Sequence, residues 1–168
     1  MYQKITLEEA LSSVTFPVYG LVEEIYGLSY SGHKYFPTGT QPITLTYQTQ
    51  RYESILHEKV RGSTLSVSCG RNIWKGIPDI PQSFSMLWDL NDIPEPVRRN
   101  PFLYRGSLTI DGTPFTGHIS YRPVPLCFSM FTLSSEQTYL GGQALGPDPD
   151  ELIQILESLR VLNRKQAE

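Results

Sequence analysis

Apolar and polar residues alternate along several short stretches of the chain, and a two-residue period marks half-buried strands. Ile43, Leu45 and Tyr47 alternate with Thr44, Thr46 and Gln48. Leu65, Val67 and Cys69 alternate with Ser66 and Ser68. Residues 107–110 and 115–121 flank Asp111-Gly112-Thr113-Pro114, an Asp-Gly hairpin signal whose loop reads as slightly longer than two residues. Residues 126–133 are apolar at most positions, which predicts a central strand buried on both faces. Residues 54–60 alternate poorly and give a further strand candidate. Residues 85–90 read as a strand or a helical turn, and residues 137–140 as a last short strand.

Two stretches carry helical spacing instead. Thr6-Leu7-Glu8-Glu9 has the form of a capping box, with Leu7, Ala10 and Leu11 on one face and Phe16-Pro17 as the stop. Near the other end, Asp148 reads as an N-cap, Pro149 as the first helical residue, and Asp150 and Glu151 as first-turn acids. Leu152, Ile155, Leu156, Leu159 and Leu162 then form a stripe running toward Asn163. Residues 16–42 are rich in apolar anchors but lack a period, so they read as an irregular, packed segment. Gly141-Gly142 and Gly146 read as a loop leading into the terminal helix. The sum is one α+β domain over residues 1–168. It has a curved antiparallel sheet of about six or seven strands, a short N-terminal helix and a packed C-terminal helix.

Composition supports that class. Thirteen Gly and thirteen Pro mark frequent turns, and the aromatic share is 11%, led by ten Tyr. Seventeen acidic residues against fourteen basic give a net charge of -3, without the basic stripe expected of a nucleic-acid binder. No apolar run approaches the roughly 20 residues needed to span a bilayer. The first residues do not form a cationic and then apolar leader, so a cytoplasmic protein is expected. In that compartment Cys69 and Cys127 stay reduced and serve as small apolar residues.

The opening ITLEEALSSVTFPVYGL and the closing TYLGGQALGPDPDELIQILESLRVLN together resemble a bacterial domain of unknown function found in anti-sigma-factor-like and lipoprotein-like proteins. That resemblance implies a half-barrel, lipoprotein-carrier-like fold in which a curved sheet wraps around helices. It covers the two ends of the chain and carries over no functional residue.

Candidate chemistry is sparse. His33, His57 and His118 are isolated, with no spacing that presents metal ligands together. No cofactor or metal motif is present. The richest patch lies in residues 70–101, a long proline-rich and apolar stretch. There Trp74, Phe84, Met86 and Trp88, with Arg71 and Lys75, have the composition of a binding hot spot. The expected function is therefore non-enzymatic recognition of another protein, of inhibitor, immunity or regulatory adaptor type, through this stretch and the neighbouring sheet face. The acidic balance would steer it toward a basic partner. An alternative is a carrier of a small apolar ligand in a sheet–helix pocket lined by Tyr47, Tyr121, Phe128 and Met130. A further alternative is a hydrolase-type enzyme using His57 or His118 with a sheet carboxylate.

Overall fold

The computed structural model describes residues 2–49, 62–72, 102–122 and 127–164, with the side chains of residues 102–105 and Arg122 outside the description. Helix α1 (Leu7–Ser12) is followed by strands β1 (Tyr19–Gly20), β2 (Ser29–Tyr35), β3 (Ile43–Gln48) and β4 (Thr64–Arg71). Then come β5 (Phe102–Ile110), β6 (Thr113–Arg122), β7 (Phe128–Ser134) and β8 (Thr138–Leu145). Helix α2 (Pro149–Glu157) and strand β9 (Arg160–Val161) close the described chain. Seven strands form one antiparallel sheet in the order β2-β3-β4-β8-β7-β6-β5, and β1 pairs with β9 in a separate two-stranded ladder. The α+β architecture is the expected one. The strand candidates at 54–60 and 85–90 lie outside the described residues.

The alternation in β3 and β4 does what the pattern predicts. Ile43, Leu45, Tyr47, Leu65, Val67 and Cys69 are buried, and the hydroxyl residues between them point the other way. They meet Leu152, Ile155 and Leu156 of α2 in a single core, each contributing roughly 1.5–3 kcal/mol by leaving water. Both helices begin with complete capping boxes. In α1 the Glu9 amide donates to the Thr6 hydroxyl at 3.1 Å, and the Thr6 amide donates to the Glu9 carboxylate at 2.8 Å. In α2 the Glu151 amide donates to Asp148 at 2.8 Å, and Pro149 occupies the first turn, where its missing N–H has no helical role.

Several elements differ from the expectation. Helix α1 stops at Ser12, capped by Ser13, before it reaches Phe16-Pro17. The segment 16–42 is not irregular throughout, because it holds β1 and the seven-residue β2. β2 lacks a readable period because it is an edge strand with a bulge between Tyr30 and Gly32. The hairpin loop is only Asp111-Gly112, both with positive φ (49° and 77°), while Thr113 and Pro114 already belong to β6. Pro114 is tolerated because it stands opposite Thr109, one step from the closing pair Ile110–Thr113, where a strand residue offers its N–H to the other side. β7 is buried on one face only: Ser129, Phe131 and Leu133 point inward, while Met130 is 53% exposed.

The largest surprise is β8, which is the middle strand of the sheet and not a short terminal one. Gly141 and Gly142 lie inside it instead of in a loop before α2. A Cβ at Gly142 would meet the Ser66 carbonyl oxygen and stand 2.6 Å from the Phe131 ring. Close backbone approach is what glycine supplies here. The terminal helix is also shorter than its apolar stripe. It ends at Glu157, and the Ser158 hydroxyl donates to the Ile155 carbonyl at 2.7 Å. Arg160 and Val161 then pair with Gly20 and Tyr19. The Leu162 amide donates to the Val18 carbonyl at 2.8 Å, and the Asn163 carboxamide accepts from the Val18 amide and donates to the Phe16 carbonyl, both at 2.9 Å. These bonds replace the ones a longer helix would have made.

The close packing around β8 gives a direct test. Gly142→Ala is expected to lower unfolding free energy by roughly 1–3 kcal/mol, the usual cost of overpacking. Gly32→Ala on the edge strand, whose Cβ would meet nothing within 4 Å, is expected to stay within about 0.5 kcal/mol of the parent. Urea unfolding of the two variants measures both.

Candidate binding face

Because α1 and α2 pack on one side of the sheet with the buried cluster, the alternate residues of the strands form an outer face on the other side. The register aligns them in rows. Thr46, Ser66, Gln143, Met130 and Ser120 form one row, and Thr44, Ser68, Gly141, Thr132 and His118 form the next. The Thr44 and Ser68 hydroxyls share a hydrogen bond of 2.7 Å. The loop between β2 and β3 folds over one corner, where the Gln41 side chain lies against Gly141 and the Thr40 carbonyl against Gly70. The middle of the face holds the exposed Met130, a soft and adaptable apolar contact.

Charge is distributed unevenly. None of the seventeen Asp and Glu residues falls within the seven strands, whereas Lys34, Arg71, Arg105 and Arg122 do. Among the described residues, carboxylates gather at the starts of the two helices, where caps and the helix dipole favour them. The described strands of the sheet thus carry no acidic residue, although the chain is acidic overall.

The residues singled out from sequence are scattered. Arg71 is exposed at the end of β4, in phase with the inward residues, and its guanidinium donates to the Thr15 hydroxyl at 2.5 Å. Trp74, Lys75, Phe84, Met86 and Trp88 lie outside the described residues. Tyr47 and Tyr121 do share the inner face, in the row Tyr47, Leu65, Ala144, Ser129 and Tyr121. Phe128 and Met130 occupy the opposite phase, on the outer face. The four residues of the expected pocket therefore stand on two sides of the sheet. Tyr47 is itself packed away, 2% exposed, with its hydroxyl accepting the Leu21 amide at 3.0 Å. The interior next to α2 is occupied by side chains such as Leu65, Phe115, Ile119 and Ile155.

A cavity of about 710 Å³ lies elsewhere, at the end of the sheet beyond the β5–β6 turn. Val14, Phe16, Pro17, Tyr19, Thr138 and Arg164 are among its walls. Its walls come from four segments distant in sequence, so no local motif announces it. Arg164 is tied to Asp111 at 3.2 Å, and the Val161 amide donates to the same Asp111 oxygen at 3.0 Å.

His33 and the two cysteines are held in local contacts. The His33 ring stands 2.5 Å from the Tyr30 hydroxyl and 2.8 Å from the Ile5 carbonyl. His57 lies outside the described residues. His118 sits on β6, opposite Arg105 of β5 and Thr132 of β7 in the sheet register. Among the described residues no three His, Cys, Asp or Glu side chains gather as a metal site. Cys127 accepts the Tyr121 hydroxyl at 3.4 Å. Desolvation first, then this bond to Cys127, pushes the Tyr121 phenol up to about 12. Cys69 is fully buried, and its sulfur accepts the Tyr19 amide at 3.5 Å.

Burial makes the core sensitive to alkali. Desolvation pushes the Cys69 thiol from 9.0 up to about 12 and the Tyr47 phenol from 10.0 up to about 12. The unfolded chain releases these protons first. The stabilisation is therefore complete below the unfolded values and is lost as pH rises from 9.0 toward about 12. In urea unfolding at a series of alkaline pH values, Cys69→Ala is expected to lower the plateau. It should also shift the start of the decline upward, toward the tyrosine value.

No family model, curated protein or solved structure matches the chain.

Proposed function

We propose that the domain is a non-enzymatic binding protein that recognises another protein through the outer face of its sheet, in the manner of an inhibitor, immunity protein or regulatory adaptor. The observation that carries this reading is the make-up of that face. It is a broad run of Ser, Thr and Gln around the exposed Met130, with no acidic residue in any of its strands. Acidic residues are depleted and Met enriched in the cores of interfaces, where Ser is depleted too, so it is the missing acids and Met130, not the serines, that support the reading. Flat hydroxyl-bearing strands lose little side-chain entropy when covered.

The same charge distribution changes the partner expected from the whole chain. A net charge of -3 favours a basic partner. On the outer face the described strands carry Lys34 and no acidic residue. The partner surface that suits this face is uncharged at its centre and acidic at its margins. Tyr47 and Tyr121, expected to line an apolar pocket with Phe128 and Met130, stand on the opposite face of the sheet from those two.

The test is site-specific photo-crosslinking in the cell of origin. A photoreactive residue at Met130 is expected to capture one polypeptide, and the same probe at Glu157 on α2 is expected to capture none. Adding Gln143→Arg beside the probe should abolish the capture while leaving the thermal unfolding curve in place. Equal capture from both positions, or none from Met130, overturns the proposal.

A further inference from the structure

The cavity of about 710 Å³ at the end of the sheet has two kinds of wall. Its volume falls within the roughly 300–1,000 Å³ usual for small-molecule sites. Val14, Phe16, Pro17, Tyr19 and Val161 give it apolar surface from the segments around β1 and β9. The turn between β7 and β8 adds Glu136 and Thr138, and the chain beyond β9 adds Arg164. Phe16, Tyr19 and Thr138 are buried, whereas Glu136 and Arg164 are exposed. The charges therefore stand at the mouth and the aromatic rings deeper in.

Several polar groups of the wall are already engaged within the fold. The Thr15 hydroxyl accepts from Arg71, and the Ser135 hydroxyl accepts from the Thr138 amide at 3.0 Å. The Asn163 carboxamide is spent on Phe16 and Val18. Three side chains have capacity for a ligand. Glu136 brings an exposed carboxylate. Arg164 is fixed at the wall by one bond to Asp111 at 3.2 Å, and a guanidinium has donors for more than one anion. Thr138 is fully buried, and its Oγ1 is without a partner among the described residues. A buried hydroxyl left in that condition costs stability. Of the side-chain atoms in that condition, it is the one in the wall of this cavity.

We propose that this cavity binds a free α-amino acid whose side chain is aromatic and ends in a hydroxyl, with tyrosine as the type. The ammonium group goes to the Glu136 carboxylate, and the ligand's carboxylate goes to the Arg164 guanidinium. Both are charge-assisted bonds, the stronger kind. The ring lies against Phe16, Pro17 and Tyr19, where aromatic neighbours favour it. The phenolic hydroxyl reaches Thr138 and completes its hydrogen bonding. Opposite charges at one mouth select a zwitterion over a simple anion or cation. A ligand lacking either group leaves one charge of the protein without its counterpart. The cavity does not use the outer face, so this site is independent of the outer-face reading.

The test is isothermal titration of the intact protein with L-tyrosine at concentrations up to about 1 mM. Saturable binding is expected. Tyramine lacks the carboxylate and hydroxyphenylpropionate lacks the ammonium group, and each is expected to bind more weakly on the order of tenfold. L-Phenylalanine, without the hydroxyl, is expected to bind several-fold more weakly than tyrosine. Thr138→Val removes no side-chain hydrogen bond of the free protein. Its thermal unfolding is therefore expected to match the parent, while its preference for tyrosine over phenylalanine disappears. Should that variant fail to fold, the ligand series on the unaltered protein decides the matter alone. Absence of tyrosine binding overturns the proposal. So does equal binding of either truncated analogue, phenylalanine binding as tightly as tyrosine, or a preference for tyrosine that survives Thr138→Val.

Discussion

The pairing of β4 with β8 is the interaction on which the rest of the sheet depends. β2, β3 and β4 form one meander and β5 to β8 another. Within each meander strands consecutive in the chain pair with one another, and among the described residues the eight pairs from Thr64–Leu145 to Arg71–Thr138 join the two into one sheet. Those pairs bring together residues about seventy positions apart. The entropy of closing so long a loop grows only slowly with its length, yet non-local pairing of this kind slows folding. The glycines of β8 are the local condition for it. Gly142 lets the strand lie against the Ser66 carbonyl and the Phe131 ring, and Gly141 leaves room for Gln41.

That condition explains which parts of the fold could be read from the residues alone. β3, β4 and the β5–β6 hairpin were legible because one face of each is buried and the other is not, so hydrophobicity repeats every two residues. The two helix starts were legible because capping is local chemistry between residues three apart. β8 was obscured because glycine carries no hydrophobic signal, and its pairing partners lie far away in the chain. β2 was obscured because an edge strand is wet on both sides. The end of α2 was misread because its leucine stripe continues past the point where Val18 and Asn163 offer better hydrogen-bond partners. The candidate face was half legible. Its polar positions are the complement of the buried ones, but Phe128 and Met130 look like core in a strand that is apolar at most positions.

The charge separation has the same local origin. Asp and Glu fit poorly in strands and well at helix starts and turns. A chain that places its acids by those rules empties its sheet of negative charge without any selection for a partner. The result is a molecule whose net charge and whose outer sheet face give opposite indications about what approaches it. The surface is the better guide at short range, because exposed charges further away than about 10 Å are largely screened at ordinary ionic strength.

The ladder between β1 and β9, with Asn163 bridging Phe16 and Val18, has a consequence for how the protein is made. Residues near the start of the chain find their hydrogen-bond partners among residues near 160. During synthesis the segment around Tyr19 leaves the ribosome early and must wait, with Val18 and Tyr19 uncovered, until Asn163 has emerged. The sheet can assemble progressively as β8 appears, but the hydrogen bonds over that corner of the core form only once Asn163 follows it. The corner around Tyr19 is therefore one of the last parts of the described fold to gain its hydrogen-bond partners.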